Sequence, residues 1–175
     1  MLASVDLSWL WSPKDYFYAI VSAVIGALLG ILWAKLEFAA QQKKEAEKVR
    51  LGIIDTLKFN KERAEQANEQ LKNGGMPNYP LDGARLSSLI LPAHGLLSDE
   101  LLLRVDWHRY QLDHITSKLA VVNGFFLSAS VSTPDAKRAY DEWIAMLRQS
   151  LIEHYQKVIN GTDALVADVE KKGKR

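Results

Sequence analysis

The chain has 175 residues, 22 Lys and Arg against 21 Asp and Glu, and a net charge of +1, so bulk electrostatics carry no signature of a nucleic-acid binder. The absence of Cys excludes disulfides, a thiolate zinc site and a Cys nucleophile, and accords with a reducing compartment.

Met1 to Trp11 is short and mildly amphipathic and is expected in a membrane interface. Ser12-Pro13-Lys14-Asp15 then reads as a helix start, with Ser as N-cap, Pro at the first helical position and an acid in the first turn. Tyr16 to Ala34 follows, nineteen residues without a charge. As a helix this run is ~28 Å long, the thickness of a bilayer's hydrocarbon core. Trp11, Tyr16, Phe17 and Tyr18 at one end and Trp33 and Phe38 at the other place aromatic rings where the headgroups begin. The flanks lack the basic start and the small residues before the cut that a cleavable signal peptide needs, so the segment is expected to be retained as one transmembrane helix.

Within it, Ser22, Gly26, Gly30 and Ala34 recur every four residues. They share one helix face, where a second backbone can approach closely, and this face is expected to pack against other copies or to line a pore. Lys14 alone precedes the span, whereas Lys35, Lys43, Lys44, Lys48 and Arg50 follow it. By the positive-inside rule the N-terminus is expected outside and the bulk of the chain in the cytoplasm.

The predicted organisation is therefore residues 1–36 as N-terminal segment and membrane helix and 37–175 as a cytoplasmic stalk and bundle, long enough for one domain with a real core. The helix is expected to continue past Lys35 as a stalk, with Leu36, Ala39, Ala46, Val49, Ile53 and Leu57 at helical spacing. Gly74-Gly75, Pro77 and Pro80 break it. A short apolar helix is predicted from Ala84 to Leu91, stopping at Pro92, and a long one from a Ser98 N-cap to about Phe126. On the latter, Leu101, Val105, His108, Leu112, Ile115, Leu119, Val122 and Phe126 share one face, and Leu103, Trp107, Tyr110, His114 and Val121 form a neighbouring strip. Two apolar strips predict a helix buried on both sides. Asn123-Gly124 within it reads equally as a kink, a close contact or part of a site. Ser130 to Thr133 is a predicted turn, Pro134 opens the last long helix, and Asn160-Gly161 is expected to end it ahead of a short final helix over Leu165, Val166 and Val169 and a basic tail. With no alternating strand pattern, the fold class is all-α.

Phosphate-cradling glycine loops, H-E-x-x-H and G-x-S-x-G are all missing from the sequence. The four His residues have no metal-ligand spacing, and neither a metal nor a cofactor is expected. Two Arg-to-His pairs do stand out, Arg109/His114 with four residues between and Arg148/His154 with five. Each also has a structural account: Arg109 and Asp113 are four apart and can ion-pair, and His154 adjoins the core-facing Tyr155. The spacing resembles the Arg, four to six residues, His motif of HEPN helical bundles, which implies general acid/base work by His on a ribose 2′-hydroxyl with Arg stabilising the phosphorane.

One N-terminal membrane helix, a helical bundle and such a motif together resemble the small membrane accessory proteins of type VI-B CRISPR systems. That likeness implies a HEPN-like bundle whose subunits form a ring with a membrane pore, beside an RNA-guided RNA-cleaving effector. Arg148 and His154, on the last long helix, are the preferred equivalents of the motif, ahead of Arg109 and His114. The function expected is a non-catalytic oligomeric membrane protein of antiphage defence, with lipid, further copies of the chain and the effector or its products as partners. The alternatives are an anion or cyclic-nucleotide sensor using Arg85, Arg104, Arg109, Lys118 and Arg148, and a membrane-tethered ribonuclease that acts directly on nucleic acid.

Overall fold

A computed structural model describes residues 13–77, 81–128 and 134–172. It contains four helices, α1 (Pro13–Lys72), α2 (Gly83–Ala93), α3 (Asp99–Ser128) and α4 (Pro134–Lys172), and no strand among the described residues. The all-α expectation holds. Met1 to Ser12, with the N-cap assigned to Ser12, and the turn at 130–133 lie outside the described residues. The chain divides into two compact units, 1–45 and 46–175.

The first unit is the N-terminal part of α1. Its apolar side chains from Tyr16 to Phe38 are exposed along the whole run, Ile25 by 52%, Leu29 by 61% and Trp33 by 72%. A helix of this length and composition is a candidate membrane span. In water each large apolar side chain left exposed forgoes about 1.5–3 kcal/mol of burial, which favours covering this surface.

The second unit is a bundle of the C-terminal part of α1 with α2, α3 and α4. The apolar line foreseen along α1 becomes core only from Ile53 and Leu57, which are fully buried, with Val49 half-buried at its margin; Leu36 is 68% exposed. Leu86, Leu112, Ile115, Leu151 and Val169 join them in one cluster. The single glycine of this stretch, Gly52, lets α2 come close, since a Cβ there would meet Leu89 Cδ2 at 3.2 Å. Gly74, at φ +87°, closes α1: its N–H donates to Leu71 O at 3.1 Å, and Gly75 N–H donates to Gln70 O at 2.9 Å. This paired cap satisfies carbonyls that the last turn leaves open.

Buried Asn60 then holds the entry to α2. Its Oδ1 accepts from Asp82 N–H at 2.6 Å and its Nδ2 donates to Thr56 O at 3.0 Å, while the Asp82 carboxylate caps Arg85 N–H at 2.9 Å. The helix does not stop at Pro92 as predicted but includes it and runs to Ala93. Proline's fixed φ is helical, and a position in the last turn limits the loss to one backbone bond; His94 N–H closes the turn on Leu91 O at 3.2 Å.

The Ser98 cap is present: its Oγ accepts from Leu101 N–H at 3.4 Å, with Asp99 and Glu100 in the first turn of α3. From Leu101 to Val122, each residue of the expected core face is buried. The neighbouring strip is not. Leu103 is 69% exposed, Trp107 64%, and Tyr110 and Val121 51% each, so α3 is buried on one broad side only.

A third correction concerns α4, which continues through Asn160-Gly161 to Lys172. A mid-helix glycine costs about 1 kcal/mol, and the burial of Thr162, Leu165, Val166 and Val169 just beyond it outweighs that. Lys61 Nζ meets Asp163 at 2.7 Å and ties this part of α4 to α1.

Candidate functional site

The two Arg-to-His pairs are spread apart by helix geometry. Five residues correspond to a rotation of about 140° and six to about 120° in the opposite sense, so Arg and His cannot share a face in either pair. Arg109 lies on the side of α3 that meets α2, where Gly83 packs against Leu112 and Asp113. Its Nε donates to Asp106 Oδ1 and its Nη1 to Asp113 Oδ2, both at 2.7 Å. These carboxylates hold the guanidinium pKa above its ordinary value. Arg148 reaches the end of α1 and donates from Nη2 to Gly74 O at 2.9 Å. Its Nε is buried with no partner among the described residues.

What comes together is the two histidines. The rings of His114 on α3 and His154 on α4 have centroids 4.8 Å apart. His154 Nδ1 lies 2.7 Å from Ser150 O; a carbonyl can only accept, so this nitrogen carries the proton, and in the neutral ring Nε2 presents a lone pair. Burial, then Lys118, then His154 lower the pKa of His114. Lys118 donates to Ser150 Oγ at 2.7 Å, so the pair sits beside an ammonium. The pair is half-buried between α3 and α4, and no metal-binding group of three or more ligands occurs among the described residues.

The His pair is the end of a longer array. Trp107 and Tyr110 stack with centroids 5.4 Å apart and 23° between planes, and Tyr110 and His114 are 6.2 Å apart and 15° from parallel. Trp107, at the head of the array, also lines a groove of about 900 Å³ between α3 and α4, together with Arg104, Gln111, Lys157 and Leu165. His108 lies at its floor, only 6% exposed, and burial pushes its pKa down to about 4. The Thr162 hydroxyl donates to Val158 O at 2.7 Å and so can accept, at a long 3.4 Å, from His108 Nε2.

The cations considered for an anion sensor lie on different faces. Arg104 is bridged to Asp168 at 2.7 Å, Lys118 is bonded to Ser150, and Arg109 and Arg148 are held as described. Arg85 is on the exposed side of α2. Ser22, Gly26, Gly30 and Ala34 are exposed in the first unit, and a Cβ added at Gly26 or Gly30 would meet nothing within 4 Å.

The sequence reading missed the aromatic array because it took Trp107, Tyr110 and His114 for a second core strip. The signal was available: Arg104, Gln111 and Lys118 interleave with them at steps of three and four, a polar content that a buried face does not carry. No protein family, no curated protein and no solved structure matches this chain.

Proposed function

We propose that the chain is an oligomeric membrane protein of antiphage defence, in which Tyr16–Ala34 crosses the inner membrane and helices from several copies gather through Ser22, Gly26, Gly30 and Ala34 to open or depolarise it. This is the activity implied by the likeness to the type VI-B accessory proteins, and the HEPN-like character of the bundle belongs to the same reading, as does an RNA-cleaving effector as partner. One observation carries it: an apolar helix, free of charge from Tyr16 to Ala34, whose large apolar side chains are exposed as far as Phe38. Lipid satisfies that surface, and the helical backbone leaves no polar group unpaired in the hydrocarbon. The excess of Lys and Arg after the span supports an orientation with the bundle in the cytoplasm.

With no ionisable group between Tyr16 and Ala34, the span offers no relay for ions or protons. An apolar lumen edged only by Ser22 gates by wetting and dewetting, which a small tilt of the helices controls. Membranes of cells expressing the full chain are expected to retain it through alkaline carbonate extraction and release it only with detergent. Release by carbonate alone would contradict the span and with it the pore.

A further inference from the structure

The membrane reading leaves the α3–α4 groove without a role, although its lining has the make-up of a small-molecule site. Leu103, Trp107, Ala164 and Leu165 form apolar walls, and its volume of about 900 Å³ lies within the range of ~300–1,000 Å³ that holds a drug-sized ligand. In such sites a few polar groups set into an apolar lining fix the ligand's orientation.

Here that group is His108, more than nine-tenths buried at the floor. Because the Thr162 hydroxyl donates to Val158 O, Nε2 carries the ring proton in the His108–Thr162 contact, and in the neutral ring Nδ1 presents a lone pair. That lone pair has no hydrogen-bond partner among the described residues. It faces the groove beside Gly161, where an added Cβ would lie 3.9 Å from Nδ1 and meet nothing else within 4 Å. Alanine would therefore fit at 161 and make the better helix. What the glycine provides is open space over the imidazole. An acceptor in an apolar floor is costly to leave unpaired, so a ligand that donates to it is favoured over one that cannot.

The charges select against ions. Arg104 is bridged to Asp168, and the other charged side chains of the lining, Lys157 and Glu100, are one of each sign. A groove without net charge, with an accepting floor, matches a neutral donor, and the flat wall of Trp107 favours a ring.

We propose that the α3–α4 groove binds a neutral aromatic alcohol, its hydroxyl donating to His108 Nδ1 and its ring lying between Trp107 and the gap at Gly161. The site is built within one bundle and stands independently of the pore.

Equilibrium dialysis of the full chain in phosphatidylcholine nanodiscs, against empty nanodiscs at equal lipid, tests this with two probes of similar shape, 2-naphthol and 2-methoxynaphthalene, of which only the first is a donor. The expected result is saturable, protein-dependent binding of 2-naphthol, with the methyl ether weaker by at least about fivefold. His108→Leu should remove that difference. Gly161→Leu, which fills the gap and favours the helix, should weaken 2-naphthol binding at least about tenfold with unchanged helical circular dichroism. The proposal is overturned by no saturable binding of 2-naphthol, by equal affinity for the two probes, by a difference that survives in His108→Leu, or by binding indifferent to Gly161→Leu. A fall in particle mass in Gly161→Leu would overturn it too, since another copy then covers the groove. Failure of the pore alone would leave the dialysis result intact.

Discussion

Replacing both Gly26 and Gly30 by leucine is expected to abolish membrane permeabilisation and to dissociate the oligomer, while leaving the amount of inserted protein and the fold of the bundle unchanged. Within one chain the substitutions are innocuous, because a Cβ at either position meets nothing within 4 Å. Leucine also favours membrane insertion by about 0.3–0.6 kcal/mol per residue, so the span is kept. What the added side chains destroy is close approach of a second backbone, on which dispersion and Cα–H contacts between small-faced helices depend. Dye release from vesicles reconstituted with the full chain and with the double variant reads this out. Loss of release at equal incorporation is the predicted result, with a decrease of at least about tenfold for each 1.4 kcal/mol of lost association. Equal release by both proteins would mean that the face is not an interface.

The second large effect concerns acid. His108 is buried and neutral, with its pKa pushed down to about 4 from an ordinary 6.5. Between those two values the unfolded chain binds a proton here that the folded chain does not, so unfolding takes up a proton and stability falls as pH falls. The contribution is fully present above pH 6.5 and is lost progressively toward pH 4. The shift corresponds to about 3 kcal/mol. His114, whose pKa is lowered by burial and by Lys118, adds a loss of the same sign. Urea unfolding of the detergent-solubilised chain should therefore show a midpoint that drops steeply from pH 7 to pH 4.5. In His108→Leu most of that slope should vanish, and Thr162 keeps its bond to Val158 O. A slope unchanged in the variant would assign the acid sensitivity to other groups.

The long elements were legible in the sequence because each has a strong local cause. The charge-free run to Ala34, the glycine pair at 74–75 and the Ser98 cap all act within a turn or two of chain, and they stand where periodicity and capping place them. Errors arose where tertiary burial decides. Asn160-Gly161 carries a helix-ending signal, yet Thr162, Leu165 and Val169 are buried beyond it and hold the helix open. Trp107 and Tyr110 are large and apolar enough to pass for core, but a bundle of this size covers only one side of α3. The candidate site was legible only in its pieces. His114 and His154 were each singled out through an Arg on the same helix, whereas their closest relation is to each other across α3 and α4. Contacts between residues forty positions apart depend on how two helices dock, which no local spacing encodes.

The mass of the full-length protein extracted in mild detergent, by light scattering or by particle images, tests the account most directly. A closed assembly of six or more copies is the predicted result, since several small-faced helices are needed to surround a pore. A monomer or dimer would contradict it, leaving the apolar helix as an anchor.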